Sequence, residues 1–79
     1  MTRTNSFFSK KYDRFRRMLV EAREKANLTQ EELAFKLRKK QPYISKYESG
    51  EKRLDIVEFL DIARALDFDP SEFIKKLDR

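Results

Sequence analysis

Apolar residues recur along the first third of the chain at steps of four and three: Phe8, Tyr12, Phe15, Leu19, Ala22 and Ala26. Such a stripe occupies one face of a helix, which predicts helix 1 from about Ser9 to Ala26 and makes its aromatic members core residues rather than base-stacking ones. Asn27 can take the left-handed conformation that ends it. Thr29 to Glu32 then has the S/T-x-x-E form of a capping box, and it opens helix 2 with Leu33, Ala34 and Leu37 facing inward. After a tight connection at Arg38 to Lys40, helix 3 is expected from Gln41 to Ser49, with Pro42 tolerated in its first turn and Gly50 as its stop. Leu54-Asp55-x-x-Glu58-Phe59 combines a capping pair with apolar residues at N′ and N4, the hydrophobic-staple arrangement, and starts helix 4 toward Leu66. Phe68-Asp69-Pro70-x-Glu72-Phe73 repeats the device for helix 5, whose Phe73, Ile74 and Leu77 share a face. Glycine occurs once, and β-branched residues alternate nowhere, so strands are not expected. The reading is an all-α fold of five helices: one domain over residues 9–79 behind a flexible arm at residues 1–8.

Composition narrows the function classes. A chain of 79 residues forms one modest core, with no room for a second catalytic or sensory domain. Cysteine and histidine are both absent. Disulfides and thiolate metal sites are thereby excluded, no metal or cofactor is expected, and the usage fits a reducing cytoplasm. No apolar run approaches the roughly 18 residues of a membrane span, and the first residues lack the apolar stretch of a signal peptide. The expectation is a soluble cytoplasmic protein. An enzyme would need a nucleophile-base pair built from Ser, Lys or carboxylates, and no spaced constellation of these stands out.

The net charge of +5 is segregated. Residues 1–53 carry 15 Lys and Arg against 7 Asp and Glu, whereas residues 54–79 carry 4 against 7. Segregated positive charge favours a polyanion, either nucleic acid or an anionic membrane surface. The membrane alternative needs a free amphipathic helix, and helix 1 must use its apolar stripe to build the core of so small a domain.

Helix 3 sorts its residues by face. At about 100° per residue, Tyr43, Ile44, Tyr47 and Glu48 fall on one side, and Gln41, Pro42, Ser45, Lys46 and Ser49 on the other. An amphipathic helix alone is an ordinary solvated surface, but glutamine can pair bidentately with adenine N6 and N7, and lysine can reach guanine or a phosphate.

The runs LTQEELAFKL and QPYISKYESGEKRLDIVEFLDIARAL resemble the XRE-type helix-turn-helix regulators related to phage repressors and Cro. The resemblance covers roughly Phe15 to Leu66 and rests on Thr29-Gln30, Ala34, Gln41, Ile44 and the Glu48-Ser49-Gly50 ending at the family's spacing. It implies a lambda-repressor-like domain in which Gln30 holds a phosphate and buttresses Gln41, Gln41 reads an adenine edge, and Lys46 reaches a base or the backbone. Pro42 stands where relatives often carry a small polar residue, which limits it to an apolar contact such as a thymine methyl. Arg23 and Glu48 match a partly buried salt bridge of structural role. Arg38, Lys39 and Lys40 depart from the family's Gly, apolar, Ser/Thr turn: Arg38 must accept a conformation that glycine takes more easily, or the turn differs in shape. Three cations there suit phosphate neutralisation; Lys52 and Arg53, in the loop after Gly50, are further candidates for the flanking backbone, and Ser45 is a DNA-facing candidate on the exposed face of helix 3.

The implied function is sequence-specific binding of double-stranded DNA by a transcriptional regulator, read as a repressor on a palindromic operator. One module reads few base pairs, so a homodimer on two half-sites is expected, with helix 5 and Phe7-Phe8 as candidate dimer surface. Two alternatives share the fold: an antitoxin that binds a toxin and represses its operon, and a controller of a restriction-modification operon.

Overall fold

A computed structural model describes residues 9–79; the arm at residues 1–8, including Phe7 and Phe8, lies outside them. Within that span the chain forms five helices and no strand: α1 (Lys10–Lys25), α2 (Gln30–Leu37), α3 (Gln41–Ser49), α4 (Ile56–Leu66) and α5 (Pro70–Leu77). Four of the five starts carry a side-chain cap. Ser9 caps α1 by accepting from the Tyr12 amide at 3.0 Å. Thr29 with Glu32 and Asp55 with Glu58 form complete capping boxes for α2 and α4, each satisfying two amides that would otherwise lack partners. Helix α5 departs from the expected reciprocal box. Asp69 accepts from the Ser71 amide two residues on, and the Glu72 carboxylate lies 3.7 Å from Lys75. The apolar half of that device does form, with the Phe68 and Phe73 rings stacked at 5.0 Å.

Three helix ends share one hydrogen-bond pattern. Asn27, Arg38 and Asp67 all sit at φ 59°. In each case the next residue donates back across the turn: Leu28 to the Arg23 carbonyl, Lys39 to Ala34 and Phe68 to Ala63. This six-to-one bond satisfies the last carbonyls of the helix and requires the left-handed residue between. Asn27 and Asp67 are residue types that tolerate it, and Arg38 is not.

The core gathers Leu19, Leu33, Ala34, Ile44, Tyr47, Phe59, Ile62, Leu66 and Phe73. Helix α2 packs against α3 and α4, and α1 against α3 and α5. Phe15, Phe59 and Phe73 meet with centroids 5.1 to 5.9 Å apart, so one aromatic cluster ties α1 to both C-terminal helices. Exposed apolar residues remain on both C-terminal helices. Ile74 of α5 is 45% exposed, and α4 carries a second apolar face, with Ile56 and Val57 about 60% exposed and Leu60 at 46%.

Candidate nucleic-acid interface

Helices α2 and α3 and the turn between them place most of the candidate residues together. Lys40 precedes α3 in extended conformation, and Pro42 fits the first turn, where the amide it lacks would have had no helical acceptor. Along the outward face, Pro42, Lys46 and Ser49 are exposed, and Gln41 and Ser45 are half-buried. The Ser45 hydroxyl donates to the Pro42 carbonyl at 3.2 Å and that of Ser49 to the Lys46 carbonyl at 3.1 Å. Each hydroxyl proton is thereby engaged within the helix, and the oxygens remain acceptors.

Behind this face runs a polar chain. Arg23 donates through Nε to Glu48 Oε2 at 2.8 Å and through Nη2 to Oε1 at 3.1 Å, while its Nη1 binds the Leu28 carbonyl at 2.8 Å. The two side chains are 13% and 7% exposed. The hydrogen bonds to Glu48 raise the Arg23 pKa, holding the guanidinium charged against its partial burial. Glu48 Oε1 also accepts from Gln30 Nε2 at 2.8 Å, and Gln30 Oε1 accepts from Gln41 Nε2 at 2.6 Å. An unbroken series of hydrogen bonds therefore links α1 to the first residue of α3.

The backbone of the helix end is held from α1 as well. Arg16 donates through Nη1 to the Glu48 carbonyl at 2.6 Å and through Nη2 to Asp13 at 2.9 Å. Gly50 follows at φ 91°, and a Cβ there would lie 3.1 Å from Arg16 Nε. The positive φ favours glycine here, and an added Cβ would need the Arg16 side chain to give by a few tenths of an ångström. Arg16 had no assigned role among the sequence candidates, and no local motif marks its contact 32 residues away.

The basic candidates divide. Arg38, Lys39 and Lys40 are all exposed, although Lys39 Nζ also lies 5.0 Å from the Tyr43 ring centroid. Lys52 is held more closely. Its Nζ is 3.1 Å from Glu58 Oε2 and 5.3 Å from the Tyr43 ring centroid. Tyr43 Oη donates to the same carboxylate at 3.1 Å. The Arg53 guanidinium stacks on Tyr12 at 3.9 Å, whose hydroxyl accepts from the Leu54 amide. Lys52 and Arg53 thus both pack the loop that follows α3. Glu58 receives the Asp55 amide, Lys52 and Tyr43, and this holds its carboxyl below the ordinary range. Burial, followed by the Glu58 hydrogen bond, pushes the Tyr43 hydroxyl well above its ordinary value.

The described residues contain no group of three or more acidic side chains placed to hold a metal. None of their helices is long and apolar enough to cross a membrane.

A helix-turn-helix family profile matches residues 19–73. Solved structures with the same fold include an XRE-family-like protein from Pseudomonas syringae pv. tomato str. DC3000, 41% identical, with a TM-score of 0.83 over 86% of this chain and 83% of that one. The restriction-modification controller protein C.AhdI from Aeromonas hydrophila is 34% identical, with a TM-score of 0.71 over 78% of this chain and 90% of the other. A single-substitution variant of the restriction-modification controller protein C.Esp1396I is 26% identical, with a TM-score of 0.79 over 87% and 92% of the two chains. No curated protein sequence is matched. The chain belongs to the XRE-type helix-turn-helix family. Its fold is that of a DNA-binding transcriptional regulator, a type that is not typically enzymatic.

Proposed function

We propose that residues 9–79 act as one domain that binds a palindromic operator as a homodimer and represses transcription, with α3 in the major groove. The observation that carries this reading is the Gln30–Gln41 contact at the start of α3. A carboxamide has two N–H donors and one carbonyl acceptor. Gln41 gives one N–H to Gln30, keeping the other and its oxygen for N7 and N6 of an adenine. Lys46, Ser45 and Pro42 extend the same face, with Pro42 offering only apolar contact. The exposed cations Arg38, Lys39 and Lys40 flank it as phosphate anchors, joined by Gln30. Lys52 and Arg53, packed against Glu58 and Tyr12, have a smaller share.

The reach of the motif supports a homodimer: one recognition helix covers a few base pairs, and paired half-sites lie about 34–36 Å apart. The apolar face formed by Ile56, Val57 and Leu60 on α4, bordered by the exposed Asp61 and Arg64, supplies a surface suited to a second copy. On α5 only Ile74 offers a comparable exposed group. Control of a restriction-modification operon is the second reading, favoured by the two similar structures named as such controllers. Gln41→Ala tests the base-reading role: affinity for the cognate site should fall by about 1–3 kcal/mol while non-specific binding changes little. Equal losses on both kinds of DNA would remove Gln41 from base readout.

A further inference from the structure

We propose that Glu48 is a positioning residue for base readout, setting through Gln30 the order in which Gln41 presents its donor and acceptor to the DNA. This rests on the reading in which Gln41 recognises an adenine.

The inference starts from an asymmetry of chemistry. A carboxylate only accepts, a guanidinium only donates, and a carboxamide does either, depending on which way it is turned. Arg23 occupies both oxygens of Glu48, so the carboxylate is fixed in place as an acceptor. Gln30 can bond to it only through its amide nitrogen, and does so at 2.8 Å. That choice leaves the Gln30 oxygen facing Gln41, and Gln41 in turn can meet it only through nitrogen, at 2.6 Å. The polarity of an ion pair anchored on α1 therefore passes through two carboxamides to the edge of the recognition helix. Gln41 is left with its oxygen and one N–H in a single order. A reversed Gln41 would have to turn Gln30 as well and set an amide oxygen against the Glu48 carboxylate.

The order matters for discrimination between purines. Adenine shows an acceptor at N7 and a donor at N6, which match N–H and oxygen in the held order; guanine shows acceptors at both N7 and O6. With its orientation held, Gln41 sets its oxygen against guanine O6. If released, the amide can turn an N–H toward O6. Loss of the relay should then act mainly by admitting guanine. Two orientations sharing the free population lower adenine affinity by only about twofold. Losing one net hydrogen-bond preference lowers the adenine-over-guanine ratio by up to about tenfold.

The test replaces both members of the ion pair, Arg23→Met with Glu48→Leu, since exchanging a buried pair for apolar groups is tolerated better than removing one partner. Binding is measured to duplexes carrying adenine or guanine at the position assigned to Gln41, in the wild-type and Gln41→Ala backgrounds. The expected result is a ratio lowered by about tenfold, adenine affinity within a few-fold of wild type, and no effect of the double substitution once Gln41 is alanine. A ratio unchanged by the double substitution but lowered by Gln41→Ala would overturn the relay and leave the base reading intact. Equal losses on both duplexes would reduce Glu48 to a purely structural role. A ratio insensitive to Gln41→Ala would overturn the base reading, and the relay with it. If the double variant fails to fold, side-chain amide NMR of the wild-type protein decides. The Gln30 carboxamide protons should show cross-relaxation to the Arg23 guanidinium, with which they share Glu48 Oε1; its absence in an otherwise ordered spectrum would overturn the proposal.

Discussion

Replacing Arg38 by glycine should stabilise the protein while weakening its hold on DNA. Arg38 sits at φ 59° and ψ 40° because its own amide donates to the Phe35 carbonyl at 3.1 Å and that of Lys39 to Ala34 at 2.9 Å. A residue with a Cβ in this region loses about 1–2 kcal/mol. Glycine removes that strain and gives back about 0.5–1 kcal/mol through the greater freedom of the unfolded chain. Arg38→Gly should therefore gain about 0.5–1 kcal/mol. Arg38→Ala keeps the Cβ and should gain nothing. The two variants should differ by about 1 kcal/mol, a separation of about 4–8 °C in Tm for a domain of this size. Both lose the same cation, so both should lower the salt slope of DNA binding by about 0.9 if Arg38 neutralises a phosphate. Thermal and urea melts followed by circular dichroism give the first comparison, and fluorescence anisotropy across a salt series gives the second. A glycine variant no more stable than the alanine variant would refute the strain argument. An unchanged slope in both would refute the phosphate contact.

Two further outcomes follow from buried and acidic groups. Tyr47 is fully buried, and its hydroxyl has no hydrogen-bond partner among the described residues; Tyr47→Phe should leave stability unchanged or raise it by up to about 1 kcal/mol. A loss above about 1 kcal/mol in urea would show that the hydroxyl is bonded. Glu58 has a lowered pKa in the folded protein, first through the Asp55 amide. Its stabilisation is thus complete above the ordinary value of about 4.3 and is lost as pH falls through the folded value. Urea midpoints should fall with pH in that acid range, and Glu58→Gln should flatten the slope; an unaltered slope would assign the acid loss to other carboxylates.

What was legible in the sequence was local. Thr29 with Glu32 and Asp55 with Glu58 are three residues apart, so a short pattern carries the whole bond, and the stripe from Tyr12 to Ala26 needs only the helical period. The left-handed turn at Arg38 was legible as a conflict, since no glycine stands where the chain must turn. The polar chain behind α3 was legible only in part. Glu48 and Gln30 are 18 residues apart on different helices, so the pairing of Arg23 with Glu48 suggested structure alone, and the onward bond to Gln30 became visible in three dimensions. The same holds for Lys52, whose place beside Glu58 and Tyr43 depends on how α4 packs. The sequence of α4 does not by itself separate Ile56, Val57 and Leu60 from the core residues beside them. Phe59, Ile62, Ala63 and Leu66 already fill the inward face, leaving those three outside.

Selection of bound sites from a random duplex pool tests the central claim most directly, because it reads base specificity and half-site symmetry together. The account predicts enrichment of an inverted repeat, with an adenine at the position lost on Gln41→Ala and half-site centres about one helical turn, 10–10.5 base pairs, apart. A pool that enriches no motif, with binding that depends only on salt, would contradict it.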